Sequence, residues 1–102
     1  MNQELYNRIK AAVEGIIQQY VFQPADEQTE IAVWSRLNGY LQQLRDGKEI
    51  KEYIADAIAY SNVLEVNVSY KEPNLANMIN INISLGPATS HGDRFDRAMK
   101  GI

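Results

Sequence analysis

Two alternating runs decide the fold: Val63-Leu64-Glu65-Val66-Asn67-Val68-Ser69-Tyr70 and Met78-Ile79-Asn80-Ile81-Asn82-Ile83-Ser84-Leu85. A side-chain period of two puts Leu64, Val66, Val68 and Tyr70 on one face of the first strand and Ile79, Ile81, Ile83 and Leu85 on one face of the second. Glu65, Asn67 and Ser69, with Asn80, Asn82 and Ser84, fall on the opposite faces. The turn-rich Lys71-Glu72-Pro73-Asn74-Leu75-Ala76-Asn77 joins the runs, so the reading is an antiparallel hairpin, apolar on one side and wet on the other.

A lone hairpin is marginal in water. Helices elsewhere can cover its apolar face, but no other stretch alternates well enough to dictate a third strand. Both outer edges would then keep unpaired N–H and C=O groups, which are templates for another chain. The strand-edge residues expected to carry protein interaction are Val63, Glu65, Asn67, Ser69, Asn80, Asn82 and Ser84.

Upstream, Leu5, Ile9, Val13, Ile16 and Tyr20 recur at steps of three and four, which predicts an amphipathic helix over about 2–20. Gly15 within it invites a close helix crossing, and Gly39 in the next helix invites close approach of another backbone. Pro24 ends the first helix, and Asp26 and Glu27 suit the start of a second. That helix is predicted over about 27–46, with Ile31, Trp34, Leu37, Leu41 and Leu44 inward, Trp34 as a core anchor, and Val33 and Tyr40 flanking. Gly47 fits a left-handed closing position.

Residues 48–60 are ambiguous. Ile50, Tyr53, Ile54, Ala57 and Ile58 fit a helical face, while Tyr53-Ile54-Ala55-Asp56-Ala57-Ile58 also fits a strand; alanine content and the helical spacing favour helix. A strand there would give the sheet three members. The expected fold class is α+β, two to three helices packed on a small antiparallel β-hairpin or sheet with open edges. The expected organisation is one domain over 1–85 and a flexible C-terminal tail over 86–102.

Composition narrows the function classes. The chain has 102 residues, enough for one small core. Ten basic against thirteen acidic side chains leave a formal charge of −3, without the basic field of a duplex-binding protein. No cysteine is present, so disulfide scaffolds and thiolate metal sites are excluded. The opening Met-Asn-Gln-Glu-Leu-Tyr has no signal-peptide pattern, and no apolar run suits a bilayer span, so an intracellular protein without membrane contact is expected.

Catalytic chemistry finds little support. His91 sits in the glycine-rich tail without a supporting scaffold, and a metal site from His91, Asp93 and Asp96 lacks a convincing fourth ligand. Asp26, Glu27 and Glu30 fit the dipole of the second helix better than acid–base work. Tyr53, Tyr60 and Tyr70 form either a sticky patch or the rim of the core. No catalytic residue, cofactor or metal is expected.

Tyr20-Val21-Phe22-Gln23-Pro24-Ala25-Asp26-Glu27 resembles a segment of the contractile tail sheath proteins of bacteriophages, where a helix ends in an aromatic-Val-Phe-Glu-Pro-Asn-Asp type run before a second long helix. The likeness continues through Leu37, Leu41, Leu44 and Gly47 to the paired strands, and Ile50 to Leu85 also resembles the sheath-initiator family. The resemblance implies a C-terminal sheath-type domain whose small sheet receives strands from neighbouring subunits. It further implies other protein subunits as partners, self or tail components, and residence in the host cytoplasm during assembly and then in the virion tail. The likeness departs at Pro87, which leads into Ala88-Thr89-Ser90-His91 rather than an apolar arm.

The expected function is therefore a structural subunit of a phage contractile tail or related injection machine. One alternative is a small adaptor or regulatory domain that binds a partner without polymerising, and a size measurement over a concentration series separates the two. A small enzyme or ligand-binding domain would instead need a deep cavity between Trp34, the tyrosines and the hairpin.

Overall fold

The computed structural model describes residues 1–86. Of the tail expected over 86–102, only Gly86 falls within them; His91, Asp93 and Asp96 lie outside the described residues. Two helices, α1 (Gln3–Gln18) and α2 (Glu27–Asp46), precede three strands, β1 (Glu52–Tyr60), β2 (Val63–Lys71) and β3 (Ile79–Leu85). The strands form one antiparallel sheet in the order β1-β2-β3. The fold is α+β, two helices packed on an open three-stranded sheet.

Each helix begins where a side chain can accept its orphan amides. Asn2 Oδ1 accepts from Leu5 N–H at 3.0 Å and Asp26 Oδ1 from Thr29 N–H at 3.0 Å. The Glu72 carboxylate, at the far end of β2, accepts the Asn2 N–H with both oxygens, at 2.8 and 3.0 Å. A negative group at the positive end of α1 thus ties the first helix to the sheet.

The core lies between the helices and one face of the sheet. Leu5, Ile9, Val13 and Ile17 of α1 and Val33, Leu37, Leu41 and Leu44 of α2 are buried against Leu64, Val66, Val68, Tyr70, Ile81, Ile83 and Leu85. The strand alternation is as read from the sequence. The helical stripes turn by a fraction of a turn from their expected positions. Ile17 replaces Ile16 inside α1, and Val33 and Thr29 replace Trp34 and Ile31 inside α2. Ile31 and Trp34 stand 58% and 48% exposed, so Trp34 is not a core anchor.

The segment expected as a third helix is β1. Its inward positions are Tyr53, Ala55, Ala57 and Ala59, and its outward ones Glu52, Ile54, Asp56, Ile58 and Tyr60. Helical propensity loses to tertiary pairing: β1 meets β2 along nine consecutive residue pairs, from Glu52 opposite Lys71 to Tyr60 opposite Val63. Alanine, the residue that suggested helix, serves closeness instead, because its small side chain lets α2 lie along β1.

Three glycine expectations also change. Among the described residues, a methyl group built on Gly15 or Gly39 would meet nothing within 4 Å, so neither marks a close crossing. Gly47 has φ −80°, and the left-handed residue after α2 is Lys48, at φ 64°.

Candidate interaction edge of the sheet

Ser61 (φ 48°) and Asn62 (φ 62°) form the two-residue turn between β1 and β2, both left-handed as a primed hairpin turn requires. Such a turn makes Tyr60 and Val63 a pair that exchanges both backbone hydrogen bonds, and bonded pairs then alternate along the ladder. Odd-numbered residues of β2 bond toward β1 and even-numbered ones toward β3. Their β3 partners are Ile79, Ile81, Ile83 and Leu85. It follows that the N–H and C=O groups of Asn80, Asn82 and Ser84 point away from the sheet.

Among the described residues nothing pairs with that edge. Asn80 and Asn82 are exposed and Ser84 half-buried. β3 has no charged residue and no proline, and its seven pairs with β2 run without a bulge. Those are the devices by which edge strands usually repel other chains.

The expected edge residues divide between two strands. Val63, Glu65, Asn67 and Ser69 belong to β2, the central strand, and their backbone groups are taken up by β1. They offer no open edge. Asn80, Asn82 and Ser84 do lie on an edge strand. On the outer face Asn82 Nδ2 donates to Glu65 Oε2 at 3.2 Å and to Asn67 Oδ1, and Tyr60 O–H donates to Glu65 Oε1 at 3.2 Å. This polar seam joins the strands side by side.

The opposite edge, on β1, is defended. Ala59 N–H, at a position unbonded to β2, donates to Glu30 Oε2 at 2.8 Å. Trp34 and Ile31 flank Asp56 and Ala57 in a shallow cleft beside Glu30. The Arg45 guanidinium stands 5.3 Å from the centre of the Tyr53 ring. From Arg45 to Glu30, α2 therefore runs antiparallel along β1.

Sequence reasoning missed Glu30, whose position in the first turn of α2 accounts for an acidic residue without any bond to a strand. It also missed the outward apolar row Ile54, Ile58 and Tyr60, between 48% and 62% exposed, which the helical reading of 48–60 concealed. The three tyrosines do not form one patch: Tyr53 is half-buried, Tyr60 exposed and Tyr70 fully buried.

Tyr70 is the one buried side chain whose polar atom lacks a hydrogen-bond partner among the described residues. Burial, then the nearby Glu72 carboxylate and Tyr6, push its hydroxyl up to about 12. Its place beneath the sheet is structural. A separate shallow depression of about 270 Å³ lies between the α1–α2 connection and the end of β3, lined by Tyr20, Val21, Phe22, Pro24, Leu85 and Gly86 among others. Among the described residues no carboxylate, lysine or histidine lines it. No helix among the described residues is long and apolar enough to cross a membrane.

No known protein family, curated protein or solved structure matches this chain.

Proposed function

We propose that this chain is a non-enzymatic structural subunit of a phage contractile tail or related injection machine, and that it works by accepting a strand at the free edge of β3. The observation that carries the reading is the uncharged, unbulged edge at Asn80, Asn82 and Ser84, seven residues long and unpaired among the described residues. An incoming strand would bond to those three residues through its main chain, and the alternation of β3 would set its register by burying its apolar side chains beneath the sheet. The helices supply the rigid layer behind it. The resemblance of Tyr20 to Glu27 and of the following elements to sheath and sheath-initiator proteins supports the choice of machine. Its partners are other subunits of the assembly, and its place is the host cytoplasm and then the tail.

Asn80→Pro is the test. The substitution removes an N–H that faces outward, so the ladder to β2 survives. Particles produced with the wild-type chain should carry complete tails by electron microscopy, and those produced with a folded Asn80→Pro chain should not. Normal tails in both would overturn the reading.

A further inference from the structure

Resting on the strand-addition reading, we propose that the strand received by β3 is β3 of a second copy, paired antiparallel about a two-fold axis through Asn82, so that two sheets become one of six strands. In that register Asn82 faces Asn82, Asn80 faces Ser84, Ile81 faces Ile83 and Ile79 faces Leu85 of the other copy. Every apolar residue meets an apolar one on the buried face, and every amide or hydroxyl meets another on the wet face. The register repeats the pattern that β3 already makes with β2, where Ile81 faces Val68 and Asn82 faces Asn67. No like charges are brought together, because β3 has none.

The helix behind the edge fits the same symmetry. α1 packs on β3 and runs in the same direction, from Asn2 at Glu72 to Tyr20 and Val21 beside Leu85. Arg8 bonds to Glu49 and Gln19 to Arg36, so that flank of α1 faces α2. At roughly 100° per residue, Lys10 and Glu14 fall on the opposite flank, toward the free edge. Both are half-buried there. A two-fold axis sets the two α1 helices antiparallel, which brings Lys10 of each copy toward Glu14 of the other. The interface is therefore self-complementary in charge as well as in register, as an isologous contact requires.

Cysteine cross-linking of the full chain tests the register, since the natural sequence has no cysteine. A directly opposed, hydrogen-bonded antiparallel pair has its Cα atoms about 5.5 Å apart, within the disulfide range of roughly 4.4–6.8 Å. Two copies of residue 80, or of residue 84, would stand about 13 Å apart, four residues along the strand. Under mild oxidation Asn82→Cys should give a covalent dimer at least tenfold faster than Asn80→Cys or Ser84→Cys, and sedimentation of the wild-type chain should show a dimer. Equal rates at the three positions, or a monomer without cross-links, would overturn self-pairing. An edge covered by residues 87–102 of the same copy would give the latter result. If the wild-type chain is monomeric and Asn80→Pro still abolishes tails, self-pairing fails and the wider reading stands, with a different protein supplying the strand.

Discussion

Glu30 Oε2 accepts the backbone N–H of Ala59 at 2.8 Å, a bond from α2 to β1, one of the two edge strands of the sheet. One carboxylate thereby closes a donor that an incoming strand would otherwise take at the β1 edge. β3 has no counterpart among the described residues, so the two sides of the sheet differ in what they invite.

Replacing Glu30 by alanine should leave the Ala59 N–H without its charged partner and destabilise the fold by about 1–2 kcal/mol. Urea denaturation reads this as a lower midpoint at unchanged slope. Glu30→Gln, which can still accept through its amide oxygen, should recover part of the loss. Equal stability of all three proteins would show that the bond adds nothing.

The two faces of the sheet should respond in opposite ways to similar changes. Ile81, 3% exposed, should cost about 2–5 kcal/mol when cut to alanine. Ile54, 62% exposed, should change stability by no more than about 0.5 kcal/mol. Thermal melts followed by circular dichroism decide it, and Ile81→Asp should not fold.

Tyr70→Phe should keep the ring in the core and remove a hydroxyl that has no partner among the described residues, raising stability at neutral pH by about 1 kcal/mol. The wild-type chain should also weaken in alkali. An unfolded tyrosine ionises near its ordinary value of 10, whereas the folded one holds its proton to about 12. Between those values the unfolded state binds fewer protons, so stability is full below pH 10 and falls as pH rises through the window. Denaturant midpoints from pH 9 to 12 should show a fall that is smaller in Tyr70→Phe.

Glu72 and Asn2 both serve the start of α1, one receiving the Asn2 N–H and the other the Leu5 N–H. Asn2→Ala should cost about 1 kcal/mol as a lost cap. Glu72→Ala should cost about 1–3 kcal/mol, because a charged acceptor is lost from the helix N-terminus. A double-mutant cycle should give a coupling of at least about 0.5 kcal/mol. Strict additivity would mean that Glu72 holds some other part of the chain.

Much of the fold was legible because period and punctuation are local. The alternation in 63–70 and 79–85 assigned inner and outer faces that the structure keeps residue by residue, while Met78 falls just outside β3. Asp26 announced its helix because a side-chain acceptor next to orphan amides needs no distant partner. Of the seven candidate edge residues, three (Asn80, Asn82 and Ser84) lie on an edge strand, while Val63, Glu65, Asn67 and Ser69 lie on the central one. That error has one source, since reading 48–60 as helix left β2 without its neighbour. Ile54, Asp56, Ile58 and Tyr60 did alternate with smaller residues, but with alanine at every other position the same letters also satisfy a helix.

By itself, the sequence determined the breaks around Pro24, Gly47 and 71–77, which residues of β2 and β3 face the core, and where both long helices begin. Only the tertiary structure decided that 52–60 is a strand, that Trp34 stands half in solvent, and which edge of the sheet no described residue covers. The reason is one of range. A periodic pattern reports how a segment divides its own faces, whereas strand order and the guarding of an edge depend on groups far apart in the chain, such as Glu30 and Ala59, whose meeting no local spacing encodes.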